Sequence, residues 1–223
     1  MTAITVALKD LKLFARDARF LATLGLFSAA LVLILSVAFG PIFQEPAREA
    51  AATVWAALFF AGVLGLTRSQ DLEGAWGAAD AVRLAGTDAY AVYLGKTLAS
   101  WILLVAVFVL VLPITSIFFD VGNLRVLPAL AGVVALALLG YSAWGTLFAA
   151  LARGLQAREL LLSVLLYPSL VPIWIGAVKL THALWAGGTI EPVRDWIKVM
   201  AVMDVLGLAL SAWLYESIQE AGE

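Results

Sequence analysis

The chain has 223 residues, 63% of them hydrophobic and 13% charged, with a net charge of -2 and a mean hydropathy of +0.99. A chain so poor in polar groups cannot cover its apolar surface and stay in water, so a soluble enzyme or binding domain is excluded and a membrane protein follows. The absence of cysteine removes disulfides, thiolate metal sites, iron–sulfur clusters and cysteine nucleophiles.

Ahead of the first apolar run, Lys9, Lys12, Arg16 and Arg19 recur at helical spacing beside a face of Ile4, Leu8, Leu11, Ala15 and Ala18. This pattern predicts an amphipathic helix at the membrane surface, anchoring the first span or docking a partner. Six apolar runs follow, at approximately 20–41, 50–67, 97–119, 126–151, 160–178 and 196–215. About 20 apolar residues cross a hydrocarbon layer ~30 Å thick, and the runs lack the alternation of barrel strands, so each predicts a transmembrane helix. The expected fold is an all-α membrane protein, one polytopic domain over residues 1–223. The first run is longer than a signal-peptide core and another span follows it closely, so it is expected to be retained. Six spans leave no room for a catalytic domain, so a non-catalytic membrane subunit is expected.

Lysine and arginine set the orientation. Lys9, Lys12, Arg16, Arg19, Arg68, Arg83, Lys96, Arg153 and Arg158 fall on one side, against Arg48, Arg125, Lys179, Arg194 and Lys198 on the other. By the positive-inside rule both termini are expected in the cytoplasm.

Within the second span, Ala57, Ala61 and Gly65 form a small-residue stripe suited to a neighbouring helix or to a second copy of the chain, and Gly140, Ser142 and Gly145 form a similar patch on the fourth. The fifth holds Tyr167-Pro168-Ser169-Leu170-Val171-Pro172. Prolines four apart delete successive hydrogen bonds from one face, which predicts a kink or an unwound turn, either a plain structural kink or a hinge for which Pro168 and Pro172 are gating candidates. Asp204 lies near the middle of the sixth span, where an ionisable group is costly enough to be a functional candidate, either for gating or for a buried structural hydrogen bond. Residues 179–195 form the longest outer connection, with Lys179, His182, Trp185, Gly187, Gly188 and Pro192. They predict an interface-hugging loop in which Lys179 and His182 are candidate contacts for a partner.

The clearest signal is the second-to-third connection, a coupling segment at 68–95. Arg68, Gln70, Asp71, Glu73, Asp80 and Arg83 stand there among Leu72, Trp76, Val82 and Leu84. Such a stretch predicts a helix on the membrane face, either one whose polar side fits a groove on a soluble protein or a merely interfacial one. Gly95-Lys96-Thr97 imitates the end of a phosphate-binding loop, but Tyr90 replaces the required glycine and no buried strand precedes it. Lys96 reads instead as a snorkelling lysine at the mouth of the third span. Ser142 lacks a histidine base within its bundle, because His182 falls in the outer loop. One histidine without cysteine is an incomplete metal or heme set, so no metal site and no directly bound cofactor is expected.

Several pieces together carry a family resemblance. They are Trp55 with Leu58-Phe59, Ala91-Val92-Tyr93-Leu94-Gly95-Lys96 before Trp101, and Pro113 with Phe118-Phe119. Further on come Gly145-Thr146-Leu147-Phe148, and Leu166-Tyr167-Pro168 through Val171-Pro172 to Gly176-Ala177-Val178-Lys179. In this order and spacing the chain resembles, over essentially its whole length, the B-type membrane (permease) subunit of the cytochrome c maturation ABC transporter, the heme exporter protein B family. The cytoplasmic loop departs from the family pattern: Trp76-Gly77 and Asp80 occupy places where an acidic-Gly pair and a glutamate are common, and Gly86 replaces the usual proline.

The resemblance implies an ABC-2-like permease bundle with an N-terminal interfacial helix and a cytoplasmic coupling helix, in the cytoplasmic (inner) membrane. It implies paired copies that bind a separate ABC ATPase through the coupling segment and join a heme-handling membrane subunit and a small accessory subunit. ATP would be bound by the partner, heme would be cargo of the complex, and the work done would be heme export or release of a heme-loaded chaperone. Nucleic acid has no place in it. An ABC-2 permease for a lipid or drug, and an ATP-independent assembly or scaffold subunit, are the competing readings.

Overall fold

The computed structural model describes residues 2–39, 45–75, 88–152, 158–187 and 189–220. Among the described residues there is no strand. The helices in chain order are α1 (Ala3–Arg16), α2 (Ala18–Phe39), α3 (Pro46–Ala75), α4 (Ala89–Phe119), α5 (Leu127–Leu151), α6 (Arg158–Trp185) and α7 (Asp195–Glu220). Among the described residues, from α2 to α7, six helices are long and apolar enough to cross a membrane, as the sequence predicts. An even number of spans puts both termini on one face, called here the terminal face.

Short polar residues punctuate the chain. Asp17 stands between α1 and α2, and its Oδ1 accepts the N–H of Phe20 at 3.0 Å, capping α2 as α1 ends. Asp88 does the same for α4, accepting the N–H of Ala91 at 3.0 Å. Asp120 ends α4 with φ 54, a left-handed turn that aspartate tolerates better than most side chains.

The spans divide into a centre and a rim. Of the span in α3 67% is buried and in α5 56%, against 28% in α2 and 22% in α7. Accordingly α3 packs on α2, α4 and α6, while α5 packs on α4, α6 and α7. Leu26, Ile34 and Val37 of α2, and Val202, Val205 and Trp213 of α7, are exposed apolar side chains, which is what a lipid-facing rim requires.

Lipid tails are as apolar as leucine, so close packing has to hold the centre together. Small residues supply it. Gly62 leaves the space that the Tyr141 ring fills, and Gly145 the space for Leu66. A side chain at Gly65 would meet Leu103 at 3.3 Å. Ala57 and Ala61 are fully buried, so the stripe on the second span is used inside the bundle and not against a second copy.

Aromatic side chains add polar ties between helices. Tyr141 donates to the carbonyl of Phe59 at 3.1 Å, Trp101 Nε1 to that of Ala135 at 2.9 Å, and Trp55 Nε1 to Thr181 Oγ1 at 3.0 Å. Trp55→Phe removes the α3–α6 tie while keeping most of the ring volume. It is expected to cost about 1 kcal/mol, read as a melting temperature a few degrees lower in the detergent-purified protein.

Candidate functional site

At the terminal face α3 outruns its apolar span. The span of α3 ends at Thr67, yet the helix continues to Ala75, adding about 12 Å of axis at 1.5 Å per residue. Arg68, Gln70, Asp71 and Glu73 therefore lie on a helical continuation of α3, and α4 is already helical from Ala89. This revises the expected surface helix at both of its ends: residues 68–75 belong to α3 and 89–95 to α4. The cause is propensity, since arginine, glutamine, leucine and glutamate are good helix formers and no proline intervenes where the hydrocarbon ends. Asp80 and Arg83 lie outside the described residues.

α1 is laid along the start of α4. Contact is closest at Gly95, where a Cβ would lie 2.6 Å from the carbonyl oxygen of Ala3 and from Cβ of Val6. Val6, Ala7, Asp10 and Phe14 form the buried face of α1, and Asp10 is paired with Lys9 at 3.0 Å. Ile4 and Leu8, assigned to the membrane from sequence, remain 64% and 52% exposed and form a separate strip. α1 thus has a protein face, an open apolar face and a basic face. The protein face escaped the sequence reading because Asp10 interrupts it; the signal was the helical recurrence of Val6, Ala7, Asp10 and Phe14 itself.

Residues 95–97 lie inside α4, so no loop surrounds a phosphate. Lys96 is 6% exposed. It does not snorkel, because it lies at the level where α1 covers α4.

Inside the membrane, α5 and α7 meet along a seam of polar groups. Asp204 is 3% exposed; its carboxyl group sits against the α5 backbone at Gly140, beside Ile173 of α6, and neither oxygen has a hydrogen-bond partner among the described residues. One turn on, Gly207 makes room for Trp144, whose Nε1 donates to the carbonyl of Met203 at 3.1 Å. Further along the bundle, Tyr93 of α4 donates to the carbonyl of Ala143 at 3.1 Å. Ser211 is buried and back-bonded to Gly207 at 2.7 Å.

The prolines lie close to this seam, because Ile173 follows Pro172 directly. α6 is continuously helical through Pro168 and Pro172, so the unwound turn is absent. The helix is supported from the side by rings: Tyr167 lies 4.7 Å from Phe59 between centroids, and Trp174 lies 5.2 Å from Trp55, 5.6 Å from Phe59 and 5.8 Å from Tyr141. Ser169 also donates to the carbonyl of Leu165 at 3.3 Å.

The opposite face needs a correction. Lys179 and His182 were expected in a loop, but α6 runs to Trp185 and carries both. Its inner stripe of Ile173, Ala177, Leu180 and Leu184 stays buried past the lysine, so the charge does not end the helix. Lys179 Nζ instead lies 4.7 Å above the Trp196 ring of α7, a cation–π contact. The remaining connection is short, with a turn at Gly187 (φ 68) and a 3-10 segment Glu191–Val193. His182 lies nine residues beyond Ile173, about 13 Å of helix rise in the direction away from Ser142, which rules out a serine–histidine pair. The structure joins Asp204 to the proline helix and leaves residues 68–75 and the Lys179–His182 end on opposite faces.

A bundle of six helices long and apolar enough to cross a membrane, with a polar helical extension on one face and a buried carboxyl group between its spans, defines a polytopic helical membrane protein. The CcmB protein family matches residues 1–217. The chain belongs to this family, heme exporter protein B, the membrane subunit of an ABC-type heme exporter of cytochrome c biogenesis. Among curated proteins nothing matches the chain.

Proposed function

We propose that a separate ABC ATPase works this subunit through the segment at 68–95. The observation that carries the reading is the unbroken helix of α3, which takes Arg68, Gln70, Asp71 and Glu73 from the centre of the bundle out beyond the membrane. A push on that extension acts directly on the most buried span. From α3, motion passes to α6 and to the Asp204 seam through the packed aromatic rings, with Pro168 and Pro172 as the flexible points. Coupling of this kind requires the ATPase to bind two membrane conformations with different affinity.

In this reading both termini and the segment face the cytoplasm of the inner membrane, two copies of the chain form the permease, and a heme-handling membrane subunit and a small accessory subunit complete it. Nucleotide is hydrolysed only in the ATPase. Heme is cargo of the complex, and the stroke exports it or frees a heme-loaded chaperone.

Reversing charge with Asp71→Lys and Glu73→Lys is expected to weaken ATPase co-purification about tenfold or more and to reduce holo-cytochrome c in parallel. Normal docking in that variant sinks the assignment. The chain has no cysteine, so Gln70→Cys gives a unique label; modification from the periplasmic side would reverse the topology.

A further inference from the structure

The open side of α1 is built in two strips. Advancing about 100° per residue around the helix, exposed Ile4, Leu8 and Ala15 fall together, and exposed Lys12 and Arg16 fall beside them. The face buried on the bundle, with Val6, Ala7, Asp10 and Phe14, lies on the far side. Arg19, exposed in the first turn of α2, adds a third cation at the same end.

Both ends of this helix stand at the edge of the hydrocarbon. Ala3 and Val6 meet α4 at Gly95, just short of the apolar run at 97–119. At the other end Arg19 shares a groove with Thr67, the last residue of the α3 span. A helix tethered at that level at both ends turns its apolar strip to acyl chains and its basic strip to headgroups.

The open charges there are of one sign. Lys12, Arg16 and Arg19 have no acidic partner among the described residues. The two carboxylates of the region are already engaged, Asp10 by Lys9 at 3.0 Å and Asp17 by the N–H of Phe20 at 3.0 Å. A zwitterionic headgroup brings an ammonium group that finds no open carboxylate among the described residues here, whereas an anionic one brings only the charge that the three cations lack. We infer that the open side of α1, continued by Arg19, is a binding surface for anionic phospholipid of the phosphatidylglycerol class. Phosphates meet Lys12, Arg16 and Arg19, and acyl chains cover Ile4 and Leu8. The lipid holds α1 from outside, as the close approach at Gly95 holds it from within. The inference depends neither on which side of the membrane the terminal face occupies nor on the ATPase.

The chain has no cysteine, so Leu8→Cys carries a single bimane label on the apolar strip. The labelled chain, with its accompanying subunits, is placed in nanodiscs of equal phosphatidylglycerol and phosphatidylcholine, with brominated, quenching chains on one lipid or on the other. Quenching is expected to be strong with bromine on phosphatidylglycerol and weak with bromine on phosphatidylcholine, an enrichment of about fivefold or more, the worth of one or more cations at a membrane surface. The combined Lys12→Gln, Arg16→Gln and Arg19→Gln variant should quench alike in both, and raising the salt should shrink the wild-type preference. Arg48→Gln, on the opposite face, and excess inorganic phosphate should change nothing. The surface is overturned if the wild type quenches alike in both nanodiscs, or in neither, the result of a protein partner or water on the strip. It is equally overturned if the triple variant or high salt keeps the full preference, or if Arg48→Gln or free phosphate removes it.

Discussion

Gly95→Val is expected to lift α1 from the bundle and abolish cytochrome c maturation. The first atom of the new side chain would stand 2.6 Å from the backbone oxygen of Ala3 and from Cβ of Val6. Neither can rotate away, so the helix itself has to move. Val6 and Phe14, 0% and 3% exposed, would lose their packing. Full burial of such side chains is worth about 1.5–3 kcal/mol each, an upper figure here because lipid recovers part of it. The gain from removing a helical glycine is below ~1 kcal/mol and cannot compensate. Ala7, 2% exposed on the same face, becomes the reporter: Ala7→Cys should react slowly with a maleimide alone and quickly when combined with Gly95→Val. Gly132→Val is the control, since nothing lies within 4 Å of its Cβ position. If Ala7→Cys stays protected beside Gly95→Val, the docking of α1 on α4 is wrong.

The spans were legible because lipid imposes a simple rule: a helix of sufficient length with few charges. The helix ends were not. Charge marked the expected limits at Thr67 and Val178, but α3 continues through Arg68 to Ala75 and α6 through Lys179 to Trp185. A charge ends the apolar run; only lost hydrogen bonds or a change of backbone region end a helix, and neither position supplies one. Pro168 and Pro172 show the converse. They should weaken the helix by their missing N–H groups, yet α6 stays helical, because rings from α3 and α5 brace it, and those of α3 come from residues more than a hundred positions away in the chain.

The intramembrane site was half legible. Asp204 announced itself by its cost, and Gly140 by its small size, but nothing in one sequence said that they meet. Gly140 is needed because the Asp204 carboxyl group occupies the place of its missing side chain. The same logic pairs Gly62 with Tyr141 and Gly145 with Leu66. A small-residue patch reveals a close approach and leaves the visitor unnamed.

Gly140→Val is expected to break the α5–α7 seam, and Asp204→Ala to restore part of what it loses. A Cβ at position 140 collides with the Asp204 carboxyl group and lies 2.6 Å from Cδ1 of Ile173. Overpacking of this kind costs about 1–3 kcal/mol, with the burial of Met200 and Leu170 at 0% exposure leaving little room to yield. Shortening Asp204 to alanine vacates most of that space, so the double variant should melt above Gly140→Val alone, the non-additivity expected of touching residues.

Asp204→Asn separates stability from function at the same position. Neither Asp204 oxygen has a hydrogen-bond partner among the described residues, and an aspartate at mid-membrane costs about 2.5–3.5 kcal/mol on insertion scales. Replacing it with the isosteric amide should therefore raise the melting temperature of the purified protein by several degrees. If the carboxyl group serves only to fill the notch at Gly140, maturation of cytochrome c will be unchanged. If it is the switch of the seam, the more stable protein will be the less active one, a trade common at sites kept for function. A lower melting temperature for Asp204→Asn would show that the carboxyl group holds α7 to α5, and would remove Asp204 from the gating candidates.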